Sequence, residues 1–84
     1  MACHDLKILP QFYEAVISGR KKFELRKNDR DFKVGDTIKL REWSNGRYSG
    51  RETTYRIGYM LQDYEGLDGN YVILGIEPSI NIRE

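Results

Sequence analysis

At Gly19 the chain changes period, and that change restricts its fold more than any other feature. Ahead of it, Phe12, Ala15 and Val16 recur at helical spacing behind Pro10, which suits the first position of a helix because its missing N–H costs nothing there. Gly19 supplies a residue able to take positive φ just past a helix end. Beyond it, the apolar residues alternate with polar ones, the period of a strand. The spacing predicts one short helix, Pro10 to Ser18, in a chain that is otherwise β.

Asp5 to Leu9 reads as a brief strand before that helix. From Lys22 to Asn28, Phe23 and Leu25 fall on one face and Glu24, Arg26 and Asn28 on the other, the alternation of a half-buried strand. Val34-Gly35-Asp36 punctuates, and Thr37 to Trp43 follows as a strand with Ile38 and Leu40 inward. Asn45-Gly46 is a strong hairpin signal, because such turns need positive φ at both central positions. The return strand runs from about Arg51 to Leu61, with Thr53, Tyr55, Ile57, Tyr59 and Leu61 suited to one buried face. A polar loop holding Gly66 and Gly69 leads to the apolar run Tyr71 to Ile76, a central strand that Pro78 ends. The expected class is α+β, mainly β. Five short strands favour a small closed or nearly closed barrel with the helix plugging an open end, since an open sheet would leave long edges unprotected.

The 84 residues enclose one core and not two, so a single domain is expected, with a core from about 4 to 77 and a loosely held tail from 78 to 84. Charged residues make up 32% of the chain, and no apolar run approaches the roughly 18–20 residues of a spanning helix, so no membrane partner is expected. Met1-Ala2-Cys3-His4-Asp5 lacks the basic and apolar regions of a secretory signal, which points to the cytoplasm. Cys3 is the single cysteine, and with His4 alone beside it there is no metal-ligand set, so neither metal nor cofactor is expected. A monomer is the simplest assembly.

The net charge of +1 hides a segregation. Residues 20 to 56 hold twelve Lys or Arg against six Asp or Glu, a net of +6, while the remainder holds two against seven, a net of −5. Screening limits each charge to about 8–10 Å, so a basic stretch on a near-neutral protein still attracts phosphates. Within that stretch Glu24, Arg26 and Asn28 share a strand face, with Lys21 at the turn before it. Cations there can hold a phosphate, Glu24 can accept from a base amino group or ribose hydroxyl, and Asn28 can do both. The competing reading is a surface ion-pair ladder of little energetic worth. Asp29 suits a turn-closing role with Arg30 as its brace. His4 is the only histidine and no serine carries an activating motif, so His4 is a candidate pocket-lining donor and not a base. Trp43 and Tyr48 flank the hairpin and are the aromatic pair best placed to stack on bases.

Gly19-x-Lys21-x-x-Glu24-x-Arg26 resembles the G-x-K-x-x-E-x-R signature of the ASCH family, named for activating signal cointegrator homology and related to the PUA fold. His4-Asp5-Leu6-Lys7, Pro10, Phe12, Asn28-Asp29-Arg30, Gly35-Asp36 and Glu42-Trp43 fall in the order seen in its small bacterial and phage-encoded members. The resemblance covers the chain to about Ile76. It implies a PUA-like β-barrel whose cleft holds RNA or a nucleotide-like ligand, with Lys21, Glu24 and Arg26 as the binding set and Gly19 letting the backbone pass close. Lys7, Asn28, Arg30, His4 and Trp43 are its candidate neighbours. Some ASCH-like proteins are similar to amidohydrolases that act on acylated cytidine, pairing a lysine matching Lys21 with a threonine and a later glutamate. Here Glu24 stands at the threonine position and Glu77 is the late carboxylate. Three functions therefore remain open: a non-catalytic RNA-binding module, a nucleoside or RNA hydrolase using Lys21, and a module that meets an acidic protein.

Overall fold

A computed structural model describes residues 1–79. The elements run β1 (Cys3–Ile8), α1 (Pro10–Ile17), β2 (Phe23–Lys27), β3 (Thr37–Ser44), β4 (Arg47–Gln62) and β5 (Tyr71–Pro78). The helix starts at Pro10, as its geometry requires, and ends in a Schellman arrangement. Gly19 sits at φ +83°, its N–H donates to Val16, and the N–H of Arg20 donates to Ala15. Tyr13 and Val16 form the buried face of α1, whereas Phe12, expected on that face, is 45% exposed. The hairpin turn forms at Asn45 and Gly46, at φ 51° and 80°, joining Ser44 to Arg47. Strand β4 consequently begins at Arg47, four residues earlier than the alternation suggested. Most of the expected tail, residues 80–84, lies outside the described residues.

The five strands form one sheet in the order β1-β3-β4-β5-β2, with β1 parallel to β3 and the other pairs antiparallel. It curls into a half-barrel and does not close through strand pairing. Strands β1 and β2 are its two ends, and β5 is central as its unbroken apolar run implied. The concave side holds the core: Ile38, Leu40, Ile57, Val72 and Leu74 are fully buried, with Leu6, Ile8, Tyr13, Val16, Phe32 and Ile76 around them.

Two faces run against the sequence reading. In β2 the side that turns inward carries Glu24, which is 3% exposed, while Phe23 and Leu25 point outward. In β4 the pairing with β5 slips between Ile57 and Tyr59, so Gly58 is a bulge. One extra residue reverses every side chain beyond it. Tyr59 and Leu61 leave the buried face that Tyr55 and Ile57 occupy, and Met60 packs on the core instead.

Candidate functional site

A charged residue on the concave side of a small sheet needs charged partners of its own, because an unpaired buried carboxylate is costly. Glu24 has two. Its Oε2 accepts from Lys21 Nζ at 2.5 Å, and its Oε1 accepts from Arg26 Nε at 2.9 Å with Arg26 Nη2 2.8 Å away in the same ion pair. Lys21 reaches it from the loop that Gly19 turns, and Arg26 from two residues along the same strand. Lys21 and Arg26 are only partly buried, at 18% and 23% side-chain exposure, so Glu24 anchors two cations at the rim of the concave side.

The same arginine closes the sheet. Alternate carbonyls of an edge strand point away from their neighbour and lack a ladder partner. On β1 these include Asp5 and Lys7. Arg26 Nη2 donates to the Lys7 carbonyl at 2.8 Å, and Arg30 Nη1 to the Asp5 carbonyl at 2.6 Å. Two guanidinium groups thus stand where a sixth strand would bond, forming a side-chain seam between β1 and the β2 end of the sheet. In place of the expected barrel the sheet is a half-barrel, whose two ends are linked here by side chains.

Above this seam the end of β1, the start of α1 and β2 enclose an open cleft of about 370 Å³, within the range of small-molecule sites. Lys21, Glu24 and Arg26 line it, with Phe12 and Phe23 beside them. The Lys21 ammonium lies 4.8 Å from the Phe23 ring centroid and 5.7 Å from that of Phe12, and it also donates to the Phe23 carbonyl at 2.6 Å. Two of its three N–H groups are therefore engaged, and Arg26 Nη1 makes no hydrogen bond among the described residues. The triad carries one more positive charge than negative and keeps donors on both cations. Phe12 and Phe23 were missed as site residues because their spacing assigned them to the core. Their closeness to Lys21 in the chain was the available signal.

The remaining sequence candidates lie around the cleft. Asn28 closes the turn after β2: its Oδ1 accepts from the Phe32 N–H at 3.2 Å and its Nδ2 donates to Gln62 Oε1 at 3.3 Å. That is the role the sequence reading gave to Asp29, which is exposed and only 3.8 Å from Arg30. Lys7 contributes its carbonyl to the seam, while its ammonium sits 4.7 Å over the ring of Trp43. Trp43 pairs with Tyr48 across the hairpin, and Arg41 covers Tyr48 at 4.0 Å, so both aromatics face cations outside the cleft. Glu77 is ion-paired with Arg56 and lines a different depression with Met1 and Gly35.

His4 is a structural residue of the core. Its Nε2 donates to Asp36 Oδ2 at 2.9 Å and its ring meets Phe32 edge-on at 4.7 Å. Asp36 also accepts from the backbone N–H groups of Ala2 and Lys33, both at 3.1 Å, tying the start of β1 to the turn before β3. The His4 hydrogen bond holds the Asp36 carboxyl below its usual 3.8; burial opposes this and the two N–H groups assist. Among the described residues, no group of three or more His, Cys, Asp or Glu side chains is placed to hold a metal ion. No helix among them is long and apolar enough to cross a membrane.

A family model described as "Domain of unknown function (DUF3850)" matches residues 3–76, a span that includes every residue lining the cleft. The chain belongs to the DUF3850 family. The "Uncharacterized 12.9 kDa protein in GpA 3'region" of Escherichia phage P2 is 35% identical to it over 71 residues. That similarity covers 84% of this chain and 64% of the phage protein's length. The DUF3850 match takes in both halves of the seam, β1 with its two carbonyls and the arginines that reach them.

Proposed function

We propose that this DUF3850 domain is a non-catalytic binding module of PUA-like, ASCH type that holds RNA or a nucleotide-like ligand in the cleft beside β2. The observation that carries this reading is the pair of cations fixed on one buried carboxylate, Lys21 and Arg26 on Glu24, each retaining donors in a cleft with aromatic walls. A phosphate oxygen is the natural acceptor for such donors, and guanidinium with phosphate is a strong, orientable pair. Phe12 and Phe23 supply apolar surface for the rest of a nucleotide. Hydrolysis is less well served. Both oxygens of Glu24 are occupied, the Lys21 nitrogen is engaged as a donor, and Glu77 belongs to another depression.

The test is fluorescence anisotropy with labelled single-stranded and structured RNAs across a salt series. Binding should weaken steeply with salt, and Lys21→Ala and Arg26→Ala should each lower affinity and reduce the salt slope by about 1. Absence of salt-dependent binding at micromolar protein would overturn the reading. So would binding that both variants leave unchanged.

A further inference from the structure

The convex side of the sheet is divided in two. Over β1, β3 and the first half of β4 it is a solvent face of the ordinary kind: Lys39 and Arg41 flank Glu52 in cross-strand ion pairs, with Thr54 beside them. Over β2, β5 and the second half of β4 it is apolar. The register aligns Phe23, Gly75 and Tyr59 in one row and Leu25, Ile73 and Leu61 in the next, with Tyr71 opposite Lys27 below. Phe23, Leu25, Tyr59 and Tyr71 are 46%, 53%, 66% and 44% exposed. This patch exists because of the two reversals already described, the inward turn of Glu24 and the bulge at Gly58.

We infer that this apolar half-face is the contact surface between two copies of the chain, packed sheet against sheet. Half-exposed aromatics of about 200 Å² each, with three aliphatic side chains between them, amount to a patch on the order of 500 Å². Two copies together bury about twice that, which reaches the lower bound of a specific interface, the size class of weak and transient contacts. Charge selects the occupant. Both signs border it: Lys27 opposite Tyr71, the Lys21 ammonium 4.8 Å from the Phe23 ring and Arg56 paired with Glu77 beyond Tyr59 and Gly75, with Asp63, Glu65 and Asp68 in the loop at the Lys27 end, so the rim is mixed where a polyanion would need cations alone. Cations and acids at the rim of one patch are instead the self-complementary charge that a two-fold contact uses. Depletion of charge at the centre is also what interface cores show.

Sedimentation equilibrium of the full chain, from micromolar to millimolar, tests this without reference to any ligand. The mass should rise from 9.9 kDa toward twice that value. Tyr59→Glu and Leu25→Glu should each weaken association about tenfold or more, because a charge in a desolvated centre is left unpaired. Thr54→Glu, on the polar half, should leave association unchanged. Both patch side chains are exposed in the monomer, so circular dichroism of the variants should match the parent. A parent chain that stays at 9.9 kDa throughout overturns the inference, as does an equal effect of Thr54→Glu. Loss of RNA binding by Tyr59→Glu in a chain that never dimerises would also overturn it, assigning the patch to stacked bases.

Discussion

Arg26 donates through Nη2 to the backbone carbonyl of Lys7, 19 residues away, across the gap in the sheet that no strand pair spans. The same guanidinium holds Glu24, so one side chain serves both the seam and the cation pair of the cleft. Arg26→Ala should therefore lower stability by about 1–3 kcal/mol, measured by urea unfolding, because it strips one partner from a buried carboxylate and one from an edge carbonyl. Arg26→Lys should recover less than half of that loss. A single ammonium lacks the fork that reaches both acceptors.

Glu24 supports the fold by neutralising its neighbours. Glu24→Gln places amide donors against two cations and should cost about 1–3 kcal/mol in the same measurement. The triple replacement Lys21→Met, Glu24→Leu, Arg26→Met should be less destabilised than Glu24→Gln alone, since apolar groups of similar volume often replace a buried ion triad at little cost. It should also abolish any RNA binding, which separates the structural role of the triad from its role in the cleft.

Acid should act on the fold partly through Asp36. Its folded carboxyl titrates below 3.8, so its contribution is complete well above that pH and is lost as the pH falls through the lower, folded value. Asp36→Asn should lower stability at neutral pH by about 1–3 kcal/mol, as a buried acceptor of three hydrogen bonds is replaced. Its stability should then fall less steeply than the parent's in the acid range below 3.8. Urea midpoints across a pH series check both statements.

Gly19→Ala isolates a backbone term. No atom lies within 4 Å of the added Cβ, so the change meets no clash, and the cost is that of holding an L-residue at φ +83°. That cost is about 1–2 kcal/mol, and Gly19→Asn should cost less because asparagine visits this region more readily. Thermal unfolding of the two variants should rank them in that order.

Local signals were legible in the sequence wherever one residue type dictates the backbone. Pro10 and Gly19 bounded the helix, Asn45-Gly46 placed the hairpin, and Ile38 and Leu40 turned inward as their alternation required. The face of β2 was not legible, because period two separates two sets of side chains without saying which set is buried. Glu24 could turn inward only because Lys21 and Arg26 compensate it, and that is a property of the folded cluster. Gly58 gave a weak hint, since glycine in a strand often marks a bulge, yet the phase of everything beyond it depended on the pairing with β5. The candidate residues near Gly19 to Arg26 were identifiable as a group. Their division into cleft, seam and turn needed β1 to be placed opposite them.

The seam has a mechanical consequence. A closed barrel widens only by tearing a ladder of main-chain bonds, whereas this sheet is held shut by single bonds from two long side chains. The distance between β1 and β2 can therefore adjust through rotamers of Arg26 and Arg30, leaving every strand pair intact. The domain is built as a clasp, with a spine of β3, β4 and β5 and two ends that side-chain bonds join.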